Sequence, residues 1–167
     1  MADELTAITN SYNQNGYYFP IDAMSVEQAL VYRSQFEAAE REYKDKDPDF
    51  DALVFGHANM VMPFIDEITR LSSVLDPVRA ILGTDVMVWG ANLFIKEAYS
   101  PNYVSWHQDL TYWGLDGVDK VTAWVALSSA TVRSGCMRYV PGTHTREIVP
   151  HRDTFAENNQ LSRGQEV

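Results

Sequence analysis

Tyr103-Val104-Ser105-Trp106-His107-Gln108-Asp109-Leu110-Thr111-Tyr112-Trp113 is a β-prone run that sets an imidazole and a carboxylate two positions apart. Successive side chains of a strand point to opposite faces, so His107 and Asp109 are expected on one face and Gln108 on the other. A neutral imidazole nitrogen beside a hard carboxylate oxygen suits a divalent first-row metal, which makes His107 and Asp109 candidate ligands. The tripeptide recurs at His151-Arg152-Asp153, but that copy follows Pro150 in a polar segment with no strand pattern.

Around this run the second half of the chain reads as short strands and turns. Val86, Val88, Leu93 and Ile95 lie in short apolar runs broken by Gly90, and Ser100-Pro101-Asn102 forms a turn before Tyr103. Strands are predicted over 103–110, 121–127 and 136–140, with turn chemistry at 114–119, at Ser134-Gly135 and at Pro141-Gly142. The first half reads as helical. A brief polar helix runs from about Glu4 to Tyr12, and Ser25-Val26-Glu27-Gln28 has the capping-box pattern. Ala29, Tyr32, Phe36, Ala39 and Tyr43 then recur at helical spacing up to about Lys44. The acidic stretch from Asp45 to Asp51 is predicted to be a connector. A third helix is expected from about Pro63 to Leu71, and a fourth capped by Asp76 and opened by Pro77. The expected architecture is α+β: helices over about 1–84 covering one side of a barrel or jelly roll built from about 85–167, in a single domain.

A chain of 167 residues with 46% apolar and 12% aromatic residues can bury a core of its own. It contains no apolar run of about eighteen residues that would span a membrane. The acidic start Met-Ala-Asp-Glu-Leu is unlike a secretory leader, and the expected location is cytoplasmic. A formal charge of -10 leaves no footprint for nucleic acid or an anionic membrane. Cys136 is the single cysteine, so no intrachain disulfide forms; its apolar neighbours Met137, Tyr139 and Val140 suit a buried thiol.

Four blocks then narrow the reading: Ile95-Lys96-Glu97, Trp106-His107-Gln108-Asp109, Ala123-Trp124-Val125-Ala126-Leu127, and Ser134-Gly135-Cys136-Met137-Arg138-Tyr139-Val140-Pro141-Gly142-Thr143-His144. In this order they resemble the phytanoyl-CoA dioxygenase family, from about Gly16 to Val167. The resemblance implies a double-stranded β-helix, a cupin-like jelly roll with helices on one sheet. It also implies an Fe(II)- and 2-oxoglutarate-dependent oxygenase that hydroxylates a small molecule with O2 and releases succinate and CO2. By similarity His107 and Asp109 are the first two iron ligands. Asp109 matches the hydroxylating branch, since halogenating relatives carry a small residue there. Trp124, Lys96 and Gln108 match positions near the 2-oxoglutarate site, and Tyr112 and Trp113 are candidate walls of a substrate pocket. His144 sits in a turn similar to the family's and reads as a turn-stabilising or outer group, and His57 as an ordinary surface or satisfied histidine.

The chain departs from the family at its far end. The third ligand of the family is a histidine on a late strand, followed by an arginine that grips 2-oxoglutarate bidentately, a task suited to guanidinium. Leu161 to Val167 resembles the segment before that strand, so both residues and the last strands of the jelly roll are expected to be missing. Exposed strand edges would then favour self-association. Two other readings stand beside the oxygenase: a non-catalytic small-molecule-binding or interaction module on the same scaffold, and a zinc hydrolase in which His144 or His151 joins His107 and Asp109.

Overall fold

The computed structural model describes residues 2–117 and 119–167, with the backbone alone at Ala2 and Tyr112. Five helices form the first half: α1 (Ala2–Asn15), α2 (Val26–Tyr43), α3 (Phe50–Val61), α4 (Pro63–Arg70) and α5 (Ser72–Leu82). Ser25 caps α2 as expected, its hydroxyl accepting from the Gln28 N–H at 3.2 Å. Gln28 does not complete the box; its side chain reaches forward to the Tyr32 hydroxyl.

Two helix expectations need correction. The connector after α2 ends before Asp51, because Phe50, Val54 and Ala58 recur at helical steps and bury one face of α3. Asp76 and Pro77 fall inside α5 instead of starting it. The Val74 and Leu75 N–H groups already bond to Leu71 O at 2.9 and 2.8 Å, while Ser73 donates its hydroxyl to Ala23 O and Pro77 is buried. Those contacts hold the turn that precedes the proline.

The core gathers Tyr32 and Phe36 of α2, Phe50, Val54 and Ala58 of α3, Met62, and Phe64, Ile65 and Ile68 of α4. Each large side chain buried there contributes about 1.5–3 kcal/mol. Helix α1 lies against α5, with Ile8 buried and the Thr9 hydroxyl within 3.1 Å of Ala80 O. Among the described residues no helix is long and apolar enough to cross a membrane.

Helix α3 breaks at His57, whose φ and ψ of -143° and 35° leave the helical region. The Ala58 N–H would ordinarily bond to Val54 O. Instead Ala58 N donates to Ala91 O at 3.0 Å, and Val54 O accepts from Leu93 N at 3.1 Å. Asn59 adds a third link, its side-chain oxygen accepting from Ala91 N at 3.0 Å. The run 91–95 is thereby stitched into the broken helix, with Ala91, Leu93 and Ile95 packed on the core and Asn92 and Phe94 outward. Val125 and Leu127 also face the core, while Trp124 and Ala126 face outward. That alternation is strand-like. Yet among the described residues the segments expected as strands carry no ladder; pairing is limited to isolated bridges at Tyr103–Asn159 and Arg152–Glu166. Residue 110, the expected end of a strand, opens a helical turn, α6 (Leu110–Trp113).

These contacts set expected losses of stability. Replacing Phe64 by Ala should destabilise the protein by about 3–5 kcal/mol in a denaturant titration. Asn59→Ala leaves the Ala91 N–H without its acceptor and should lower stability by about 1–3 kcal/mol.

Candidate functional site

His107 and Asp109 do meet, although not on a strand. Asp109 has helical φ and ψ of -56° and -38° at the entry to α6 and makes no cap with its side chain. The turn brings Asp109 Oδ1 to 3.0 Å from His107 Nε2, while His107 Nδ1 lies 2.8 Å from Ser105 O. The Ser105 carbonyl therefore takes the Nδ1–H and leaves Nε2 as the nitrogen that faces Asp109. Thr122 donates to Asp109 Oδ2 at 3.4 Å.

This spacing can be tested against a metal. Ligands at adjacent corners of an octahedron, each about 2.1 Å from the ion, stand about 3.0 Å apart. The pair fits two such corners. The hydrogen bond to Asp109 raises the His107 pKa most, with the Ser105 carbonyl and the Asp109 charge adding to it against partial burial. Metal and proton compete for the same nitrogen.

The segment is held from two sides. On one side the chain end straps it: Gln160 N donates to Tyr103 O at 2.9 Å, Asn159 Nδ2 to Ser105 Oγ at 2.8 Å, and Val167 N to Trp106 O at 3.2 Å. Ser105 Oγ in turn donates to Gln165 O, and Gln165 is fully buried. On the other side His151 Nε2 accepts the Gln108 N–H at 2.9 Å, and its Nδ1 faces Val149 O at 2.8 Å. The Gln108 side-chain oxygen accepts from Val149 N at 2.8 Å, closing a reciprocal clamp.

The clamp decides one of the alternatives. Both nitrogens of His151 are engaged with backbone, and His144 Nε2 lies 3.2 Å from Asn13 O at the end of α1. Among the described residues no third His, Cys, Asp or Glu joins His107 and Asp109. The zinc-hydrolase reading required His144 or His151 beside His107 and Asp109, and neither takes that place. The His144 ring packs so close to Gly16 that a Cβ there would lie 2.6 Å from Nδ1, and Gly16 also has φ of +84°, a region glycine adopts without strain.

The other predicted residues are dispersed. Lys96 donates to Gly135 O at 2.7 Å, and Trp124 is half exposed beside the core residue Val125. Trp113 pairs with Trp89, ring centroids 6.4 Å apart, and the Tyr112 side chain lies outside the described part of the structure. Sequence reasoning missed an open cleft of about 330 Å³ lined by Tyr17, Phe19, Trp106, Met137, Arg138 and Tyr139. Tyr139 lies in the field of Asp109: burial first, then the Asp109 charge, raises its phenol pKa. The Tyr17–Phe19 pair had been visible only as an extended segment after a turn, with nothing to link it to residues 137–139.

Two outcomes follow from the geometry. The raised His107 pKa means that its bridge to Asp109 stabilises the metal-free fold below about pH 6.5 and is lost as pH rises through the folded pKa. Stability curves at several pH values should show that loss, and Asp109→Asn should flatten it. His151→Phe removes the acceptor of the Gln108 N–H, so hydrogen exchange at that amide should accelerate about fivefold or more.

The profile of the phytanoyl-CoA dioxygenase (PhyH) family matches residues 12–166. Among curated relatives, a probable alpha-ketoglutarate-dependent hypophosphite dioxygenase of Stutzerimonas stutzeri is 27% identical over 53% of this chain and 31% of its own length. Phytanoyl-CoA dioxygenase domain-containing protein 1 of Mus musculus is 32% identical over 52% of this chain and 30% of its own. An ectoine dioxygenase of Streptomyces avermitilis is 22% identical over 80% of this chain and 50% of its own. The chain thus spans about a third to a half of the length of the curated relatives it matches. No solved structure is a significant match. With a profile covering nearly its whole length and with His107 facing Asp109 inside the matched region, this chain belongs to the phytanoyl-CoA dioxygenase family.

Proposed function

We propose that the chain is part of an Fe(II)- and 2-oxoglutarate-dependent dioxygenase that hydroxylates a small metabolite. The observation that carries this reading is the 3.0 Å pair of His107 Nε2 and Asp109 Oδ1, with Nδ1 taken by Ser105 O, inside a family-matched chain. Iron held by His107 and Asp109 would supply the centre for hydroxylation by O2 coupled to the conversion of 2-oxoglutarate to succinate and CO2.

The chain's own residues have separable tasks. His107 and Asp109 hold two adjacent positions, Ser105 and the His151–Gln108 clamp orient them, and the aromatic cleft beside Trp106 receives substrate. Gln108, whose side-chain oxygen accepts from Val149 N, remains a proposed contact for 2-oxoglutarate. Trp124 and Lys96 remain proposed contacts for 2-oxoglutarate, which Lys96 reaches only by leaving Gly135 O. The third ligand and the guanidinium for 2-oxoglutarate are proposed to lie outside the described residues. The jelly roll is proposed on the same footing; the strand-like alternation at 91–95 and 124–127 supports it, and ladders should appear as slow amide exchange over 121–127 in a longer chain. Until those edges are paired, exposed Met87, Trp89 and Phe94 favour self-association, which light scattering would register. The cytoplasm, where Fe(II) and 2-oxoglutarate are present and Cys136 stays reduced, suits this chemistry.

The absence of a third ligand among the described residues favours a second reading, a small-molecule-binding module without turnover. Succinate formation from 2-oxoglutarate with Fe(II) separates the two, measured on this chain and on one extended past Val167. Turnover in the extended chain is expected; correctly folded protein inactive in both forms would leave the binding module. In the active form Asp109→Ala should lower hydroxylation by more than about 100-fold. Hydroxylation left intact would remove Asp109 from the iron site.

A further inference from the structure

The cleft beside Trp106 combines an apolar wall with one cation. Tyr17 and Tyr139 have ring centroids 5.3 Å apart, Tyr17 and Phe19 5.8 Å apart, and Met137 completes the wall. At its side the Arg138 guanidinium stands 5.9 Å from the Trp106 ring centroid, within cation–π range. Arg138 is exposed and has no carboxylate partner among the described residues, although the chain carries a formal charge of -10. With no carboxylate partner, its N–H fork is available to a planar, bidentate acceptor.

We infer that this cleft binds a small amphipathic carboxylate, its apolar body against Tyr17, Phe19, Met137 and Tyr139 and its carboxylate on Arg138. The assignment rests on the oxygenase reading only in naming this ligand as the substrate. Three features select the class. The wall is aromatic and apolar, so the body is a short alkyl or aryl group. The single guanidinium balances one negative charge. A planar carboxylate can meet the in-plane guanidinium fork with both of its oxygens. The cleft, at about 330 Å³, has room for a metabolite of this size. Net charge alone argues against anionic ligands, and Arg138 is the local exception.

The test uses the metal-free chain and three probes with one alkyl body: octanoate, octanamide and octyl phosphate. Binding is followed by the NMR shift of the Trp106 indole N–H, identified with Trp106→Phe. Octanoate should shift that signal saturably and bind about tenfold more tightly than octanamide. R138Q should erase the difference, and R138K should keep part of it; thermal melts of both variants confirm that they fold. Equal binding of octanoate and octanamide, an unchanged preference in R138Q, no movement of Trp106 at millimolar octanoate, or tighter binding of octyl phosphate would each overturn the assignment. Failure here is distinct from failure of the oxygenase reading. Carboxylate binding without succinate formation in the extended chain removes the oxygenase and leaves the cleft. Turnover of an uncharged substrate, indifferent to R138Q, does the reverse.

Discussion

The broken hydrogen bond in α3 joins the two halves of this protein. Where a continuous helix would pair Ala58 N with Val54 O, the chain gives each of these groups to the run 91–95. Buried amides and carbonyls are seldom left unpaired, so the break at His57 persists only because Ala91 O and Leu93 N occupy the two vacated positions. Their arrival sets the register of the run. With Ala91 and Leu93 pinned, the period of two directs Ala91, Leu93 and Ile95 inward onto the helical core and leaves Asn92 and Phe94 outside. Lys96 then leaves the core at a defined point, and Gln160 donates from the far end of the chain to Ile95 O.

From there the site is assembled mostly by polar contacts. The helical core supplies bulk, but His107 and Asp109 are placed by hydrogen bonds from a carboxyl-terminal strap on one side and a histidine–glutamine clamp on the other. The clamp links the two His-x-Asp tripeptides: the histidine of the second holds the backbone between the candidate ligands of the first. Both of its ring nitrogens are engaged with backbone. A site built this way has a definite tautomer at His107, since the Ser105 carbonyl takes one ring proton, and it presents one nitrogen to whatever bridges it to Asp109.

Legibility in the sequence followed the range of the interaction. The face of α2 was readable from Tyr32 and Phe36 and the Ser25 cap because these are contacts within one turn. Helix α3 carries the same periodicity at Phe50, Val54 and Ala58, but the acidic stretch before it masked its start. Asp76-Pro77 has the signature of a helix start, and contacts of Ser73 with the distant Ala23 moved that start upstream. The pairing of His107 with Asp109 was anticipated, though through the period of a strand; a helical turn into α6 achieves it instead. Nothing local marked Asn158 to Gln160 as a support for the site, since polar residues at a chain end ordinarily meet water. The cleft was equally hidden, because Tyr17 and Phe19 lie far along the chain from Tyr139.

By itself the sequence determined the family, the helical first half, the strand-like alternation at 91–95 and 124–127 and the identity of the two candidate ligands. These depend on residue order and on spacings of two to four positions, which act before any long-range contact forms. Only the tertiary structure decided that His151 is a clamp, that Gln108 faces Val149, and that Arg138 stands beside Trp106 in an aromatic cleft. Each of these is a choice among several equally available hydrogen-bond or stacking partners. That choice is made by which distant segments the core brings together, and no spacing along the chain encodes it.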